Sequence, residues 1–212
     1  MNISQLNEKV AIAEFYPEIS EVTLRKVQLL KSTLTNHAFQ GLEEVWSSYH
    51  SVAISYDPKR ISFREVRQNI LDLPIARPEQ TLYDEASIIK IPITYHHDTH
   101  DMQALSTSLG LSTQEIATMH KAPNYQVAML GFQPGFPFLI GLPKKLHHPR
   151  KKTPSLKVPK GSVAIGGAQT GIYPSESPGG WYVIGNTTLD LFTKPDQFLL
   201  KPGDQVAFVT DE

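Results

Sequence analysis

Two stretches decide the fold: GFQPGFPFLIGLPKKLHHPR, residues 131–150, and GSVAIGGAQTGIYPSESPGGW, residues 161–181. Glycine and proline recur in both every few residues. This density excludes a long helix, because proline lacks an amide donor and glycine is a poor helix former. The aromatic residues between the turns would be unusual in a flexible linker; they are Phe132, Phe136, Phe138, Tyr173 and Trp181. We predict short strands joined by rigid loops, forming either a binding or catalytic surface or a β core without a site.

The sequence around these loops also favours β structure. Short apolar runs alternate with turn signals from residue 125 onward, a pattern typical of a barrel or sandwich. The predicted strands are 125–130, 163–165, 182–185, 189–192 and 205–209. Before them, residues 88–95 are interpreted as one strand around Pro92, either an edge strand or a strand that enters a new sheet. A helix over 101–109 should end at Gly110, and Ser112 with Glu115 should cap a helix that stops before Pro123.

The first third of the chain shows a different pattern. A strand over 10–15 is followed by a helix over 21–34, which Ser20 can cap. Strands over 43–47 and 52–56 come next, and Ser62 with Glu65 begins a helix that ends near Leu71. This order is most of a ferredoxin-like βαββαβ unit, whose last strand we expect near a linker at 74–79. The fold class is therefore α+β, with domains at 1–85 and 86–212.

Composition restricts the possible functions. The formal net charge of -1 over 212 residues argues against nucleic-acid binding, which needs a basic field. The absence of cysteine excludes disulfides, thiol catalysis and thiolate metal sites. No segment has the roughly 18 apolar residues of a membrane span, and the amino terminus has no signal pattern. We expect a soluble, cytoplasmic protein that binds neither nucleic acid nor membrane.

Histidines provide the first candidate site residues. His96, His97 and His100 lie next to Asp101, but consecutive residues of a strand point to opposite faces, so we favour a solvated turn and no metal in this chain. His120 ends a helix, where the dipole would raise its basicity and suit proton transfer or substrate binding. A buried histidine bonded to a carbonyl is the alternative.

A basic belt next to the glycine-rich loops suggests an anion site. It contains Lys144, Lys145, His147, His148, Arg150, Lys151, Lys152, Lys157 and Lys160. Arg150 could hold a carboxylate or phosphate with two hydrogen bonds, although the belt could also be a solvated face. Polar donors and small residues that could complete a pocket are Gln169, Thr170, Tyr173, Ser175, Ser177, Gly179 and Gly180. Ser162 resembles an ordinary turn hydroxyl more than a nucleophile, since the sequence lacks the GxSxG pattern.

The chain strongly resembles the family of allophanate hydrolase subunit 1, the B subunit of 5-oxoprolinase and the Kip inhibitor. The resemblance rests on GFQPGFPFLIGLP, VPKGSVAIGGAQTGIYP, SPGGWYVIGNT and PGDQVAF, with Pro149-Arg150 and Leu191-Phe192, within residues 125–208. Earlier residues match more loosely. The chain departs from the family pattern at Ser155 and Asn186, where the family usually has arginine.

The resemblance implies a small α/β amino-terminal domain followed by a cyclophilin-like β-barrel. It also implies a subunit of an ATP-dependent 5-oxoprolinase, an amidohydrolase that converts 5-oxo-L-proline to L-glutamate. Such a subunit acts in a hetero-oligomer with a homologous second subunit, of the 5-oxoprolinase C type, and with a lactam-hydrolysing subunit. ATP would be bound by this chain or with its partner.

Site residues follow from the same resemblance and the pocket pattern. We expect catalytic roles for His120, Arg150 and Gln169. We expect substrate contacts from Phe132, Pro134, Gly135, Phe136, Thr170, Tyr173, Ser177, Gly179, Gly180 and Trp181. If φ is positive at Gly180, a β-branched side chain there would be strained.

Other functions compatible with the resemblance stay open. A Kip-inhibitor-like protein would bind and inhibit a sensor histidine kinase, and would need an exposed apolar patch such as outward-facing Phe136, Phe138, Leu139 and Ile140. A subunit of an allophanate or urea amidohydrolase or of a carboxyltransferase system is another possibility. The last possibility is a purely structural subunit.

Overall fold

A computed structural model describes residues 1–15, 20–74, 88–194 and 197–210, except the side chain of Thr193. The chain divides into two compact units, Met1–Asp84 and Glu85–Glu212. The boundary that we predict between residues 85 and 86 lies outside the described residues.

The first unit is a four-stranded antiparallel sheet with two helices. Its elements are β1 (Asn2–Asn7), β2 (Val10–Glu14), α1 (Glu21–Asn36), β3 (Leu42–Ser47), β4 (Ser51–Tyr56) and α2 (Phe63–Leu71), and the strand order is β1-β2-β4-β3. Ser20 caps α1, and Ser62 with Glu65 forms the predicted capping box of α2. Val27 and Leu30 of α1 pack with Ile54 of β4 in one buried core. The order β2-α1-β3-β4-α2 is the predicted strand, helix, strand, strand, helix sequence.

The strand beside β2 differs from our expectation. We expected the last strand of this unit near residues 74–79, most of which lie outside the described residues. The position next to β2 is instead taken by β1, at the amino terminus. Only Ile3 of β1 is partly buried, so this strand lacks the apolar alternation by which strands are recognised.

The second unit is built on an eight-stranded sheet. Its elements are β5 (Ile89–Pro92), β6 (Thr94–Tyr95), α3 (His100–Leu109), α4 (Thr113–Lys121), β7 (Tyr125–Leu130), β8 (Pro137–Ile140), β9 (Ser155–Val158), β10 (Ser162–Gly166), β11 (Gln169–Ile172), β12 (Ser177–Gly179), β13 (Tyr182–Asn186), β14 (Phe192–Lys194), β15 (Gln197–Phe198) and β16 (Gln205–Val209). The order in the large sheet is β5-β16-β7-β8-β11-β10-β13-β6, while β9 pairs with β12 and β14 with β15.

The large sheet closes on itself almost completely. β5 and β6 lie at its opposite edges although Ile93 alone separates them in sequence. The two edges must therefore meet at Ile93, whose amide donates to the carbonyl of Val209 at 2.7 Å. The predicted single strand over 88–95 is wrong for this reason: the chain crosses from one edge to the other there. The predicted α+β class with a barrel is confirmed.

The closed sheet separates an apolar interior from an outer face. Val163 and Ile165 of β10 and Leu139 of β8 belong to the interior core. Because side chains alternate along a strand, Ala164 and Gly166 point outward. Met102 of α3 and other helix residues join the same core.

The predicted local signals of the second unit are largely present. Gly110 ends α3 with φ 65°, and Ser112 with Glu115 forms the capping box of α4. The strand predicted over 189–192 lies later, at β14, because Asp190 accepts a hydrogen bond from the amide of Phe192 and forms a turn there. Within the described ranges, no helix is long and apolar enough to cross a membrane.

Gly161 provides a test of this packing. Its φ is +82°, and a Cβ there would overlap the carbonyl oxygen of Thr187. We expect Gly161→Ala to lower the free energy of unfolding by about 2 to 5 kcal/mol, from left-handed backbone strain and overpacking together. Urea unfolding, followed by Trp181 fluorescence in a Trp46→Phe background, measures the change.

Gly203→Ala is the matched control. Gly203 has φ +99° but no atom within 4 Å of the added Cβ, so only the strain of about 1 to 2 kcal/mol should appear. Equal losses of unfolding free energy in Gly161→Ala and Gly203→Ala would contradict the predicted cost of the overlap with Thr187.

Candidate functional site

A cavity lined by aromatic rings lies on the outer face of the barrel. Its volume is about 370 Å³. We call it the aromatic cavity; its lining residues are Met129, Phe132, Phe136, Phe138, Arg150, Lys151, Pro154, Tyr173, Gly179, Gly180 and Trp181. The ring centroid of Phe136 is 5.1 Å from that of Tyr173 and 5.5 Å from that of Trp181, both edge-to-face. These are favourable aromatic geometries, so the walls are well ordered.

Small residues of the central strands make room for these rings. A Cβ on Gly166 of β10 would lie 2.5 Å from the Trp181 ring, and one on Gly171 of β11 would lie 2.8 Å from Phe136. A Cβ on Gly179 would overlap the Tyr173 hydroxyl. The glycines therefore permit close approach of ring to backbone.

Gly180 does not need unusual backbone geometry. It is not among the described residues with positive φ, and the nearest atoms to an added Cβ are 3.8 Å away. The condition under which we expected strain in Gly180→Val is therefore not met.

Phe132 stands at the mouth of the aromatic cavity. Its φ is 65°, which makes it the one non-glycine residue with positive φ in the described parts of the chain. The side chain is 65% exposed, yet its ring meets Phe136 edge-to-face with centroids 5.5 Å apart. Such strain in an exposed aromatic residue is typical of functional sites.

Arg150 supplies positive charge to one wall of the aromatic cavity. Its guanidinium carbon lies 5.7 Å from the centroid of the Trp181 ring, within cation–π range. No carboxylate of the described residues pairs with it. The guanidinium is therefore available to an anionic ligand.

Lys151, which also lines this cavity, is already paired. Its ammonium group donates to Asp101 Oδ2 at 2.8 Å and to Ser155 Oγ at 2.7 Å. Both charged side chains of the pair are mostly buried, at 10% and 16% exposure. Asp101 also accepts from the amide of Val183 at 2.9 Å. Asp101 is thus a structural carboxylate. The prediction that it belongs to a solvated turn is wrong.

His120 lies inside the barrel and does not reach its outer face. It is fully buried, and its Nδ1 and Nε2 are 2.8 Å from Tyr95 Oη and 2.9 Å from Thr170 Oγ1. The Thr170 hydroxyl donates to the carbonyl of Ala164 at 3.0 Å, so it accepts from His120 Nε2–H. Nδ1 then accepts from Tyr95. One neutral tautomer satisfies the whole chain of hydrogen bonds.

The predicted rise in His120 basicity is wrong. Burial lowers the pKa of His120 from 6.5 to about 3, because desolvation of the charged ring outweighs the helix dipole. The ring bonds two hydroxyl groups, and not a carbonyl as in the alternative prediction. Burial also raises the pKa of Tyr95 far above its usual value of 10. Both groups are neutral across the physiological pH range.

The predicted site residues divide into four groups. Arg150, Phe132, Phe136, Tyr173, Gly179, Gly180 and Trp181 line the aromatic cavity. Pro134 and Gly135 line a shallower depression beside Phe198. His120 and Thr170 are inside the barrel, and neither Gln169 nor Ser177 lines the aromatic cavity. The expectation that all of these residues share one pocket is therefore wrong.

Strand geometry explains the separation. Thr170 and Gln169 are consecutive in β11, so their side chains point to opposite faces of the sheet. Gln169 lies on the outer face with Gly171 but does not line the aromatic cavity. The Ser177 hydroxyl donates to the carbonyl of Pro178 at 3.2 Å. The functional roles predicted for these residues stay predictions.

The apolar patch expected of a kinase inhibitor does not form as described. Phe136 is 2% exposed, Phe138 9% and Leu139 0%. They pack inward or against other rings because glycine at neighbouring positions lets them approach the sheet. Exposed rings nearby are instead Phe132 and Phe198.

Sequence reasoning did not identify Met129, Pro154 or Tyr95 as parts of a site. Met129 and Pro154 line the aromatic cavity, and Tyr95 orients His120. Met129 lies on β7 two residues after the core residue Val127. Strand alternation alone would place both side chains in the core, but a register shift separates the two residues. Across the described ranges, no three His, Asp or Glu side chains are close enough to hold a metal ion.

Residues 1–200 match the family model described as carboxyltransferase domain, subdomain C and D. The chain is 46% identical to the B subunit of 5-oxoprolinase from Escherichia coli O157:H7 over 133 residues, which make up 61% of each chain. It is 34% identical to the B subunit of 5-oxoprolinase from Bacillus subtilis strain 168 over 220 residues, covering 98% of this chain and 91% of that relative.

Solved structures show the same fold. The crystal structure of TTHA0988 superposes with a TM-score of 0.83 at 34% identity, covering 96% of this chain and 40% of that one. Kluyveromyces lactis urea amidolyase is similar in fold, with a TM-score of 0.73 at 19% identity over 99% of this chain and 15% of that one. The chain thus spans two fifths of the first of these proteins and a smaller part of the second.

The buried state of His120 predicts a pH dependence of stability. Between pH 6.5 and about 3 the unfolded chain binds a proton at His120 that the folded chain does not bind. Stability should therefore fall as the pH decreases through this window, by up to about 1.4 kcal/mol per pH unit from this residue. Urea unfolding at pH 7, 6, 5 and 4 measures the slope.

His120→Gln serves as the comparison in this experiment. We expect it to be less stable at pH 7 by about 1 to 3 kcal/mol, because hydrogen bonds are lost, but to lose less stability on acidification than the wild type. Parallel slopes would contradict the neutral histidine. The imidazole nitrogen shifts at pH 5 should also show the tautomer with the proton on Nε2.

Proposed function

The chain belongs to the family of carboxyltransferase domains, subdomains C and D, and on this basis we propose that it is a subunit of an ATP-dependent 5-oxoprolinase. In this proposal the aromatic cavity binds 5-oxo-L-proline, which the assembled enzyme converts to L-glutamate. Two relatives named as the B subunit of 5-oxoprolinase, at 46% and 34% identity, support a 5-oxoprolinase type of system.

The unpaired guanidinium of Arg150 carries the proposal. It lies over Trp181 at the edge of an apolar cavity. A substrate carboxylate can accept two parallel hydrogen bonds from this planar group, whereas a lysine would provide a point charge only. A small ligand with an apolar ring and one carboxylate suits this arrangement, and 5-oxoproline has both.

The rings of the aromatic cavity suit the flat lactam. Phe136, Phe138 and Trp181 form apolar walls around about 370 Å³, which exceeds the volume of a five-membered ring with its substituents. Burial raises the pKa of Tyr173, while the Trp181 amide and Arg150 act in the opposite direction. The hydroxyl of Tyr173 is therefore protonated at neutral pH and can bond the lactam amide.

The contribution of this chain to the reaction is positioning. A lactam carbonyl is a weak electrophile. Transfer of the terminal phosphoryl group of ATP to its oxygen, with ADP as the leaving group, would let water add to the carbon; the ring C–N bond then breaks and phosphate leaves. Holding the carboxylate at Arg150 and the ring between aromatic walls would direct the carbonyl toward the activating group. His120 takes no direct part, because its ring is sealed in the barrel.

ATP and the partner chains complete the proposal. The sequence has no GxxxxGK[ST] loop, so we place ATP with a homologous second subunit, of the 5-oxoprolinase C type. A third, lactam-hydrolysing subunit would complete the complex. A role in an allophanate or urea system would use the same fold, but the likeness to urea amidolyase, at 19% identity, concerns the fold alone.

One observation supports the kinase-inhibitor alternative. Phe132 and Phe198 are exposed at 65% and 37%, and the depression they border could seat an apolar side chain of a partner. Addition of the isolated chain to sensor kinases, with autophosphorylation as the readout, tests this alternative directly.

Replacement of Arg150 tests the proposed substrate contact. With the two partner subunits and ATP present, Arg150→Met should lower kcat/KM for 5-oxoproline by about 10- to 100-fold, since a charge-assisted hydrogen bond contributes about 1.5 to 3 kcal/mol. The kcat/KM of Arg150→Lys should lie between that of the wild type and that of Arg150→Met, because lysine keeps the charge but cannot form two parallel hydrogen bonds. Glutamate release measures the rate, and Trp181 fluorescence measures binding to the chain alone.

Lys152→Met is the matched control for this experiment. Lys152 is the exposed basic residue two positions along from Arg150, and its removal should change neither rate nor binding. Because Arg150 is exposed and has no ion pair among the described residues, its variants should unfold at the wild-type temperature. Wild-type kinetics in Arg150→Met, or absence of turnover with every partner present, would overturn the proposal.

A further inference from the structure

A second cavity lies on the outer face of the barrel, beside β9, β10 and β13. Its volume is about 450 Å³. We call it the polar cavity and define it by Asp101, Ser155, Ser162 and Asn186, with Lys157 and Lys160 at its rim. It shares no lining residue with the aromatic cavity.

Ser162 supplies a hydroxyl to the polar cavity. The residue is 3% exposed, and its hydroxyl has no hydrogen-bond partner among the residues that the structure describes. Val163 follows it in β10 and points into the core, so Ser162 points outward. Its oxygen is not sealed from solvent, so a ligand in the polar cavity can bond it directly.

Asn186 adds two donors beside Ser162. The two residues are directly opposite each other in the pairing of β10 with β13. Asn186 Oδ1 lies 2.6 Å from His96 Nε2, and a carboxamide oxygen only accepts, so His96 donates its Nε2–H. The amide NH₂ group of Asn186 is left to bind elsewhere.

Ser155 contributes a further donor. Its oxygen accepts a hydrogen bond from Lys151 at 2.7 Å, which leaves its own proton to donate. Asp101, the acidic residue of the polar cavity, is neutralised by Lys151 and accepts from the Val183 amide. Its negative charge is therefore balanced within the wall.

Lys157 and Lys160 place two ammonium groups at the rim, each paired with a carboxylate. Lys157 pairs with Glu176 at 3.2 Å and Lys160 with Asp190 at 3.0 Å. All four side chains are at least 52% exposed, and ion pairs of this kind contribute little stability. Either lysine can turn to a ligand at small cost.

We propose that the polar cavity is a second ligand site, which binds the oxyanion of a small molecule, either a carboxylate or a phosphoryl group. Hydroxyl and amide donors from Ser155, Ser162 and Asn186 face one space below two lysines. This set satisfies an acceptor with several oxygens and offers no carboxylate of its own to a cation, because Asp101 is occupied. The site stands independently of the function proposed for the aromatic cavity.

Titration of the whole chain with inorganic phosphate and, separately, with acetate tests the site. The side-chain NH₂ signals of Asn186 in nitrogen–proton spectra report binding, with sodium chloride at equal ionic strength as the reference. We expect saturable shifts with phosphate, acetate or both; the stronger probe distinguishes a phosphoryl site from a carboxylate site. Ser162→Ala should weaken binding by about fivefold or more without lowering stability, because it removes a hydroxyl that has no partner among the described residues.

Two further variants make the result decisive. Arg150→Met removes the proposed carboxylate contact of the aromatic cavity but should leave the Asn186 shifts with phosphate and acetate unchanged, so that failure of this site and failure of the proposed 5-oxoprolinase role are separate results. Ser155→Ala should also weaken binding, and it replaces Ser162→Ala if that variant does not fold. No saturable shift with either anion, or unchanged affinity in a folded Ser162→Ala or Ser155→Ala, would overturn the proposal.

Discussion

Closure of the eight-stranded sheet at Ile93 is the constraint on which the second unit depends. Once its two edges meet, each strand has one sealed side and one open side. An inward polar group can then be satisfied only by other inward groups, and His120, Tyr95 and Thr170 satisfy one another in a single proton arrangement. The aromatic cavity and the polar cavity both lie on the open, outer side.

The outer face of one strand serves both cavities. Along β10, Ser162 borders the polar cavity, Ala164 follows, and Gly166 lies beneath the Trp181 ring. From Ser162 to Gly166 the strand passes from a cavity that contains hydroxyl and amide groups to one lined by aromatic rings. Two cavities with different chemical groups in their walls therefore lie along one strand, which backbone hydrogen bonds hold in the sheet.

Much of the fold was predictable because its signals are local. Ser62, Ser112 and Gly110 act on residues within a turn or two, and each marks a helix end where expected. β1 was not predicted because its side chains are mostly exposed. Among the short strands of the glycine-rich loops, β8 pairs with β11 and β9 with β12, which are not neighbours along the chain, and no local pattern specifies such pairing.

The candidate site was predictable in part for related reasons. Arg150 and the aromatic rings come from the loops whose turns shape the aromatic cavity. Gln169 and Thr170 were grouped together although strand alternation separates them, and that signal was present in the sequence. The pKa of His120 depends on burial by Tyr125 and Phe208, whose rings lie 5.4 and 4.6 Å away. Only the assembled barrel reveals this desolvation.

Lys151 connects the two cavities although it lines only the aromatic one. Its ammonium group bonds Asp101 and Ser155, which both line the polar cavity. A substitution at this position removes the counter-charge of a mostly buried carboxylate and therefore alters the walls of both spaces. Phenotypes of Lys151 variants consequently cannot be assigned to either cavity alone, and genetic dissection of this surface has to rely on residues whose contacts stay within one of them.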